Sequence, residues 1–290
     1  MSIRTPLFVA LLTAALLVPA AAAQAKAKPA QQFYVSLGDS YASGYQPTVG
    51  NSKAGFVYQV PALAKKRGYN LKVVNFGCGG ATTSSLLHQI GCSKAMLGPG
   101  GVAYPKTTQI AAAEKFLKAN RKKTGLITIS ISGNDVTKCA QAANAVDCVG
   151  EALNGVNTNV AEAVTRLRKA AGPKVKIVGT TYPDVILGQW VKGGEDLAKL
   201  SLVAFEKLIN PALKKQYESV GGSFVDVTTA TGAYTPLEQT TTLAPYGTIP
   251  VAVAKVCQLT WFCSKNDIHA NKTGYGIIAG LVAKELPKKR

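Results

Sequence analysis

Short apolar runs take turns with longer stretches of helical spacing along this chain. Phe33 to Leu37 reads as a buried strand. A loop rich in Gly, Pro, Ser and Asn follows from Tyr41 to Lys53, and its first residues are able to begin a helical turn. Phe56, Val60, Leu63 and Ala64 then repeat at helical spacing and stop at Gly68, and Leu71 to Val74 is the second strand. Phe76 to Thr83 is a glycine-dense turn, after which Thr82 to Ile90 predicts a short helix and Ile110, Glu114 and Leu117 mark another over 107–120. Leu126 to Ile131 is the third strand. An Ala/Asn-rich loop between Cys139 and Cys148 leads into the best helical stripe, with Val149, Leu153, Val156, Val160, Val164 and Leu167 on one face. Val175 to Thr180 is a fourth strand, Leu197 to Ile209 a helix that Pro211 bends or ends, and Phe224 to Val227 a fifth strand. From Thr228 to Lys265 no helical period is found, so this stretch reads as one long loop tied by Cys257 and Cys263. Ile277, Ile278, Leu281 and Val282 mark the last helix.

Strands that alternate with helices imply a parallel sheet covered on both faces. Ligand sites in such sheets gather beyond the carboxyl ends of the strands. Ser40 follows the first strand, Gly80 the second and Asn134 the third, so the topology predicts that these three meet at one edge.

The 290 residues, 47% of them hydrophobic, suit one medium-sized domain or two small ones, and a single domain over 33–290 is assigned. Arg4, an apolar run from Leu7 to Val18 and the small-x-small step Ala23-Gln24-Ala25 read as a removed export signal over residues 1–25. The competing reading, a membrane anchor, needs an apolar core of about 20 residues, and this one is shorter. Residues 26–32 form a polar, proline-containing lead-in that is expected to be flexible, and the mature protein is expected outside the cell. Six cysteines suit an oxidising compartment. They allow 15 pairings, which sequence does not choose between. The expected set is the local one, Cys78–Cys92, Cys139–Cys148 and Cys257–Cys263, because each cysteine lies closest to that mate and each bridge closes a short loop. No Cys-x-x-Cys and only two histidines argue against a metal site, and no cofactor is implied.

The formal net charge is +18. Such an excess favours anionic partners, including a weak association with anionic surfaces. The basic triplets Lys65-Lys66-Arg67 and Arg121-Lys122-Lys123, and Arg166, Arg168 and Lys169, each precede a glycine. That places them in last turns of helices, where cations complement the dipole. No aromatic residues interleave them, so a nucleic-acid groove is not expected.

Ser40 stands in Ser36-Leu37-Gly38-Asp39-Ser40-Tyr41, directly after a strand, and is the candidate nucleophile. A serine hydroxyl needs a base, and histidine is the usual one. His88 falls in a short helix; His269 lies in the polar loop Lys265-Asn266-Asp267-Ile268-His269 and is preferred. Asp39 is expected to fix the turn by side-chain hydrogen bonds. The glycines of 77–80 match neither phosphate-loop pattern, and Gly-x-Ser-x-Gly, the mark of α/β-hydrolases, does not occur.

Taken together, Gly38-Asp39-Ser40, the Asn75 to Gly80 turn, Gly133-Asn134-Asp135 and Asp267-Ile268-His269 resemble the four blocks of the SGNH (GDSL) hydrolases, in the order and spacing of their secreted, disulfide-bonded esterase and lipase branch. The resemblance runs from about Phe33 to the end of the sequence. It implies a three-layer α/β/α flavodoxin-like sandwich with a five-stranded parallel sheet. It also implies Ser40 as nucleophile, His269 as base, and an oxyanion hole made by Ser40, Gly80 and Asn134. One position departs from the pattern: where many relatives carry an aspartate three residues before the histidine, this chain has Asn266. Some relatives hold the imidazole with a backbone carbonyl, the arrangement favoured here, with Asp267 as the other candidate.

The expected reaction is hydrolysis of a small-molecule or lipid ester by a monomer. Two alternatives stand beside it: a polysaccharide deacetylase or acyltransferase using the same site, and a non-catalytic basic protein on an anionic surface. Trp261, Phe262 and Tyr246 are candidates for an apolar acyl pocket, with core or lid packing as the equal alternative.

Overall fold

The computed structural model of the chain describes residues 1–3, 29–47 and 49–289. From residue 4 on, the expected export signal and the lead-in up to residue 28 lie outside the described residues. The lead-in ends earlier than expected, because β1 begins at Gln31.

The first half runs β1 (Gln31–Gly38), α1 (Ser40–Ser43), a two-residue ladder of β2 (Tyr45–Gln46) and β3 (Gly50–Asn51), α2 (Phe56–Lys65), β4 (Asn70–Asn75), α3 (Thr83–His88), α4 (Gln109–Asn120), β5 (Thr124–Ser130) and α5 (Gly133–Val136). The second half runs α6 (Ala145–Ala171), β6 (Lys176–Thr180), α7 (Glu195–Val203), α8 (Asn210–Ser219), β7 (Ser223–Val225), α9 (Val227–Ala230), the hairpin β8 (Thr240–Leu243) and β9 (Gly247–Pro250), α10 (Val251–Leu259), α11 (Phe262–Lys265) and α12 (Lys272–Lys284).

Five of the strands form one parallel sheet in the order β4-β1-β5-β6-β7. Both faces are buried, which is why its strands are mainly apolar, with Ser36, Thr128 and Ser130 among the buried polar exceptions on β1 and β5. Successive residues serve opposite layers: Tyr34, Leu126 and Val178 pack with α2 and α12, while Val35, Ile127 and Ile177 pack with α4, α6 and α8. The result is the three-layer sandwich that the sequence implied. All three local disulfides are present, Cys78–Cys92, Cys139–Cys148 and Cys257–Cys263.

Three expectations need correction. Pro211 does not end its helix. Residues 204–209 form a π turn, in which the Asn210 N–H reaches back to the Phe205 carbonyl, and α8 continues with Pro211 in its first turn. There the missing proline N–H leaves no gap in the ladder. The stretch 228–265 is not a loop: it holds a hairpin and α10, whose Ala252, Val253, Ala254 and Val256 are buried on several sides. In nine residues only Lys255 and Gln258 are exposed, a polar face too narrow to show a period. The loop ending at Cys148 is likewise shorter than expected, since α6 starts at Ala145, capped by the Asn144 side chain accepting from the Asp147 N–H.

Candidate active site

Ser40 opens α1 immediately beyond β1. Gly38, at φ 134°, lets the chain turn there, and a Cβ on it would meet the Ser130 carbonyl oxygen at 2.0 Å, so no other residue fits. The Gly38 peptide is clamped by Gln109, which accepts from its N–H at 2.7 Å and donates to its carbonyl at 3.1 Å. Asp39 caps α1 by accepting from the Tyr41 N–H at 2.9 Å and also accepts from the Tyr182 hydroxyl at 2.6 Å. Burial pushes its carboxyl up to about 7, against the lowering pull of those bonds. Asp39 thus fixes the turn, as expected.

His269 arrives on the loop ahead of α12, which packs in the same layer as α1. Its Nε2 lies 2.7 Å from Ser40 Oγ, across a sequence separation of 229, and its Nδ1 lies 2.7 Å from Asp267 Oδ1. The same carboxylate accepts the His269 backbone N–H at 2.9 Å. The expected backbone-carbonyl arrangement is therefore corrected: Asp267 faces the ring. Asn266 instead closes α11 in a left-handed conformation at φ 54°, and its side-chain oxygen accepts from Lys192. A two-residue spacing suffices because the loop turns sharply, with the Trp261 N–H bonded to the His269 carbonyl. The histidine side chain is only 12% exposed. Burial holds its pKa below the usual histidine value, and Asp267 opposes that shift. The Tyr41 hydroxyl donates to the Ile268 carbonyl at 2.7 Å, and its ring stacks on His269 at 5.7 Å, so the residue after the serine positions the histidine loop.

The Asn75–Ala81 loop sits against α1. Its Cys78 N–H donates to the Gly38 carbonyl, and the Asn75 amide donates to the Ala42 carbonyl. Gly80 turns at φ 79°. Among the described residues, neither the Ser40 N–H nor the Gly80 N–H has an acceptor. Asn134 lines the same pocket as Ser40, and its amide donates one N–H to the Ala81 carbonyl at 2.9 Å, which leaves the second uncommitted. Asp135 holds the neighbouring α3 by accepting from the Thr83 N–H and hydroxyl. His88, the other histidine, is exposed at the end of α3.

Beside Ser40 opens a pocket of about 100 Å³. Its wall is mostly apolar, with Val146 and Val149 from α6, Ile186 before α7, Leu197 from α7, and Phe205 and Ile209 from the π turn. Trp261, Phe262 and Tyr246 do not line it: Phe262 is buried against Gly188, and Tyr246 packs around Val253. Their packing alternative is the one that holds. Sequence reasoning missed the pocket wall because those residues are the ordinary apolar face of helices. It also missed Gln109 and Tyr182, for which the only signal was position at a strand or helix end.

The model of the GDSL-like lipase/acylhydrolase family matches residues 36–277, a span that holds Ser40, Gly80, Asn134 and His269. The chain belongs to this family. As a GDSL-like acylhydrolase it is a carboxylic ester hydrolase. Among solved structures it is similar to a lipase from a goat rumen metagenome, at 15% identity and TM-score 0.55, with 88% of this chain and 95% of that chain covered. It is also similar to a carbohydrate acetylesterase from Sinorhizobium meliloti, at 13% identity and TM-score 0.47, with 88% and 97% covered. The first of these supports the GDSL-type fold. No curated protein matches the sequence.

Proposed function

We propose that the protein is a secreted serine ester hydrolase whose substrates carry an extended apolar acyl group, and that Ser40, His269 and Asp267 form its triad. The observation that carries this reading is the 2.7 Å approach of His269 Nε2 to Ser40 Oγ at the mouth of an apolar pocket. With its pKa held low by burial, the imidazole is neutral at pH 7: Nδ1–H donates to Asp267, and the Nε2 lone pair accepts the Ser40 proton. As that proton leaves, Ser40 Oγ attacks the ester carbonyl. The N–H groups of Ser40 and Gly80 and the free N–H of Asn134 receive the oxyanion. The imidazolium returns its proton to the departing alkoxide, and water then repeats the sequence on the acyl-enzyme, releasing the acid.

A wall of this apolarity favours an apolar acyl chain over acetyl, and so an esterase or lipase over a deacetylase. Three disulfides support an extracellular setting. Nitrophenyl esters of rising chain length, assayed with the wild type and Ser40→Ala, test the proposal. The wild type should prefer chains beyond acetyl, and the variant should fall by about 10⁶-fold in kcat. Residual turnover close to wild type in Ser40→Ala would remove the serine from the mechanism.

A further inference from the structure

The second large opening in the molecule lies at the amino end of the sheet, away from Ser40. It is a groove of about 740 Å³. Gln32 and Gly125, at the starts of β1 and β5, and Lys174 and Lys176, around the start of β6, form its floor and sides. The length of β5, at about 3.3 Å per residue, separates this opening from the serine edge by about 20 Å.

The topology makes this end basic. Each helix that precedes a strand of the sheet runs back against it, so α2, α4, α6 and α8 all end here, and α12 ends beside them. The last turns of α2, α4, α6 and α12 carry Lys65, Lys118, Lys169 and Lys284, which complement the helix dipoles one at a time. Helix capping accounts for two of the arginines as well. Arg121 donates to the Ala170 and Lys169 carbonyls, and Arg168 to those of Gly172, Val175 and Val220. It does not account for the rest. Lys122 and Lys174 line the groove, are exposed, and have no carboxylate partner among the described residues; Lys123 and Lys169 stand exposed beside them. Lys289 closes one side, its Nζ 4.0 Å above the Tyr69 ring. The single carboxylate lining the groove, Glu285, is already paired with Lys176 at 3.1 Å.

We infer that this groove binds an extended anionic polymer, a chain carrying repeated phosphate or carboxylate groups. The cations line a furrow rather than stand out from a flat or convex face, which suits a linear chain better than a planar lipid surface. Lysines read charge as points and demand no fixed geometry of the anion. Tyr69, the aromatic residue in the groove, is buried beneath Lys289, so no stacking platform is offered to bases. Held by this end, the enzyme keeps its acyl pocket directed away from the polymer and open to diffusing esters.

Binding of long-chain inorganic polyphosphate, followed by anisotropy of labelled protein at rising salt, tests the inference. Three proteins are compared: wild type, Lys122→Glu/Lys174→Glu, and Lys94→Glu/Lys106→Glu, which makes the same charge change on the loop ahead of α4. All four lysines are exposed. The expected result is salt-sensitive binding by wild type, at least ~10-fold weaker in the groove variant and within about threefold of wild type in the control, with ester turnover of the groove variant unchanged. Equal weakening in both variants would reduce the effect to net charge and overturn the site, as would absence of binding at low salt. Tighter binding to phosphatidylglycerol vesicles than to polyphosphate, lost in the groove variant, would overturn the polymer assignment in favour of a membrane.

Discussion

The two ends of the central sheet are built from the same elements and behave in opposite ways. At the carboxyl end, buried and half-buried polar side chains from distant parts of the chain bond to one another: Asp39 with Tyr182, Asp135 with Thr83, Ser40 with His269. At the amino end the bonded polar groups are mainly backbone carbonyls, and arginines satisfy them. Parallel topology alone produces this segregation, because it sends strand ends and helix starts one way and helix ends the other. Chemistry that needs donors and a base collects at the first end, and positive charge collects at the second.

The contrast predicts that substitutions at the carboxyl end cost turnover and that those at the amino end cost stability. The largest effect after loss of the serine is expected from Asp267→Ala. It removes the acceptor of Nδ1–H and should lower kcat by about 10⁴-fold in a folded protein. A loss under about tenfold would return the orienting role to a backbone carbonyl. Asn134→Ala should follow, with a fall of about 10²–10³ in kcat and little change in KM. Unchanged turnover would leave Asn134 as a turn residue only. At the other end, Arg168→Ala strips a guanidinium from several carbonyls. It should lower stability by about 3 kcal/mol in urea titration while kcat/KM per folded molecule stays put; lost activity without lost stability would break the division.

The smallest expected effect concerns Asp184, fully buried beside the acyl pocket wall, where it accepts from the Ser201 hydroxyl and the Ile186 N–H. Burial raises its carboxyl to about 7, above the unfolded value of 3.8. Folding therefore favours the protonated form, so stability present below about pH 4 is lost as pH rises through about 7. Asp184→Asn should flatten that decline by about 1–2 kcal/mol between pH 5 and 8, read from urea midpoints at several pH values. Asp39, with the same upward shift, remains titratable in both proteins. An identical slope in the two would show Asp184 to be ionised throughout.

Much of this was legible before any coordinates. β1, β5 and β6 are buried on both faces, so each left a short, mainly apolar run, and Ser40, Gly80 and Asn134, past β1, β4 and β5, were marked as converging. Ser40, His269 and the three disulfides could be named because small polar residues after strands, scarce histidines and close cysteines are local signals. The acyl pocket was not local. Val149, Leu197 and Phe205 look like any core-facing residues until α6, α7 and the π turn are set side by side. α10 escaped because its solvent face is only Lys255 and Gln258, and Asp267 was ranked second because the turn that aims it at Nδ1 depends on Trp261 bonding to His269. The basic groove was invisible for a related reason: each cluster made sense at its own helix end, and only the shared direction of those helices gathers them.

The serine sits just beyond β1 and its base on the loop ahead of α12, 229 residues later, joined by Tyr41 reaching the Ile268 carbonyl. Hydrolysis is therefore silent in any intermediate whose α12 layer has not yet docked. During refolding, the return of ester turnover therefore times the docking of that layer, which helix content alone does not report.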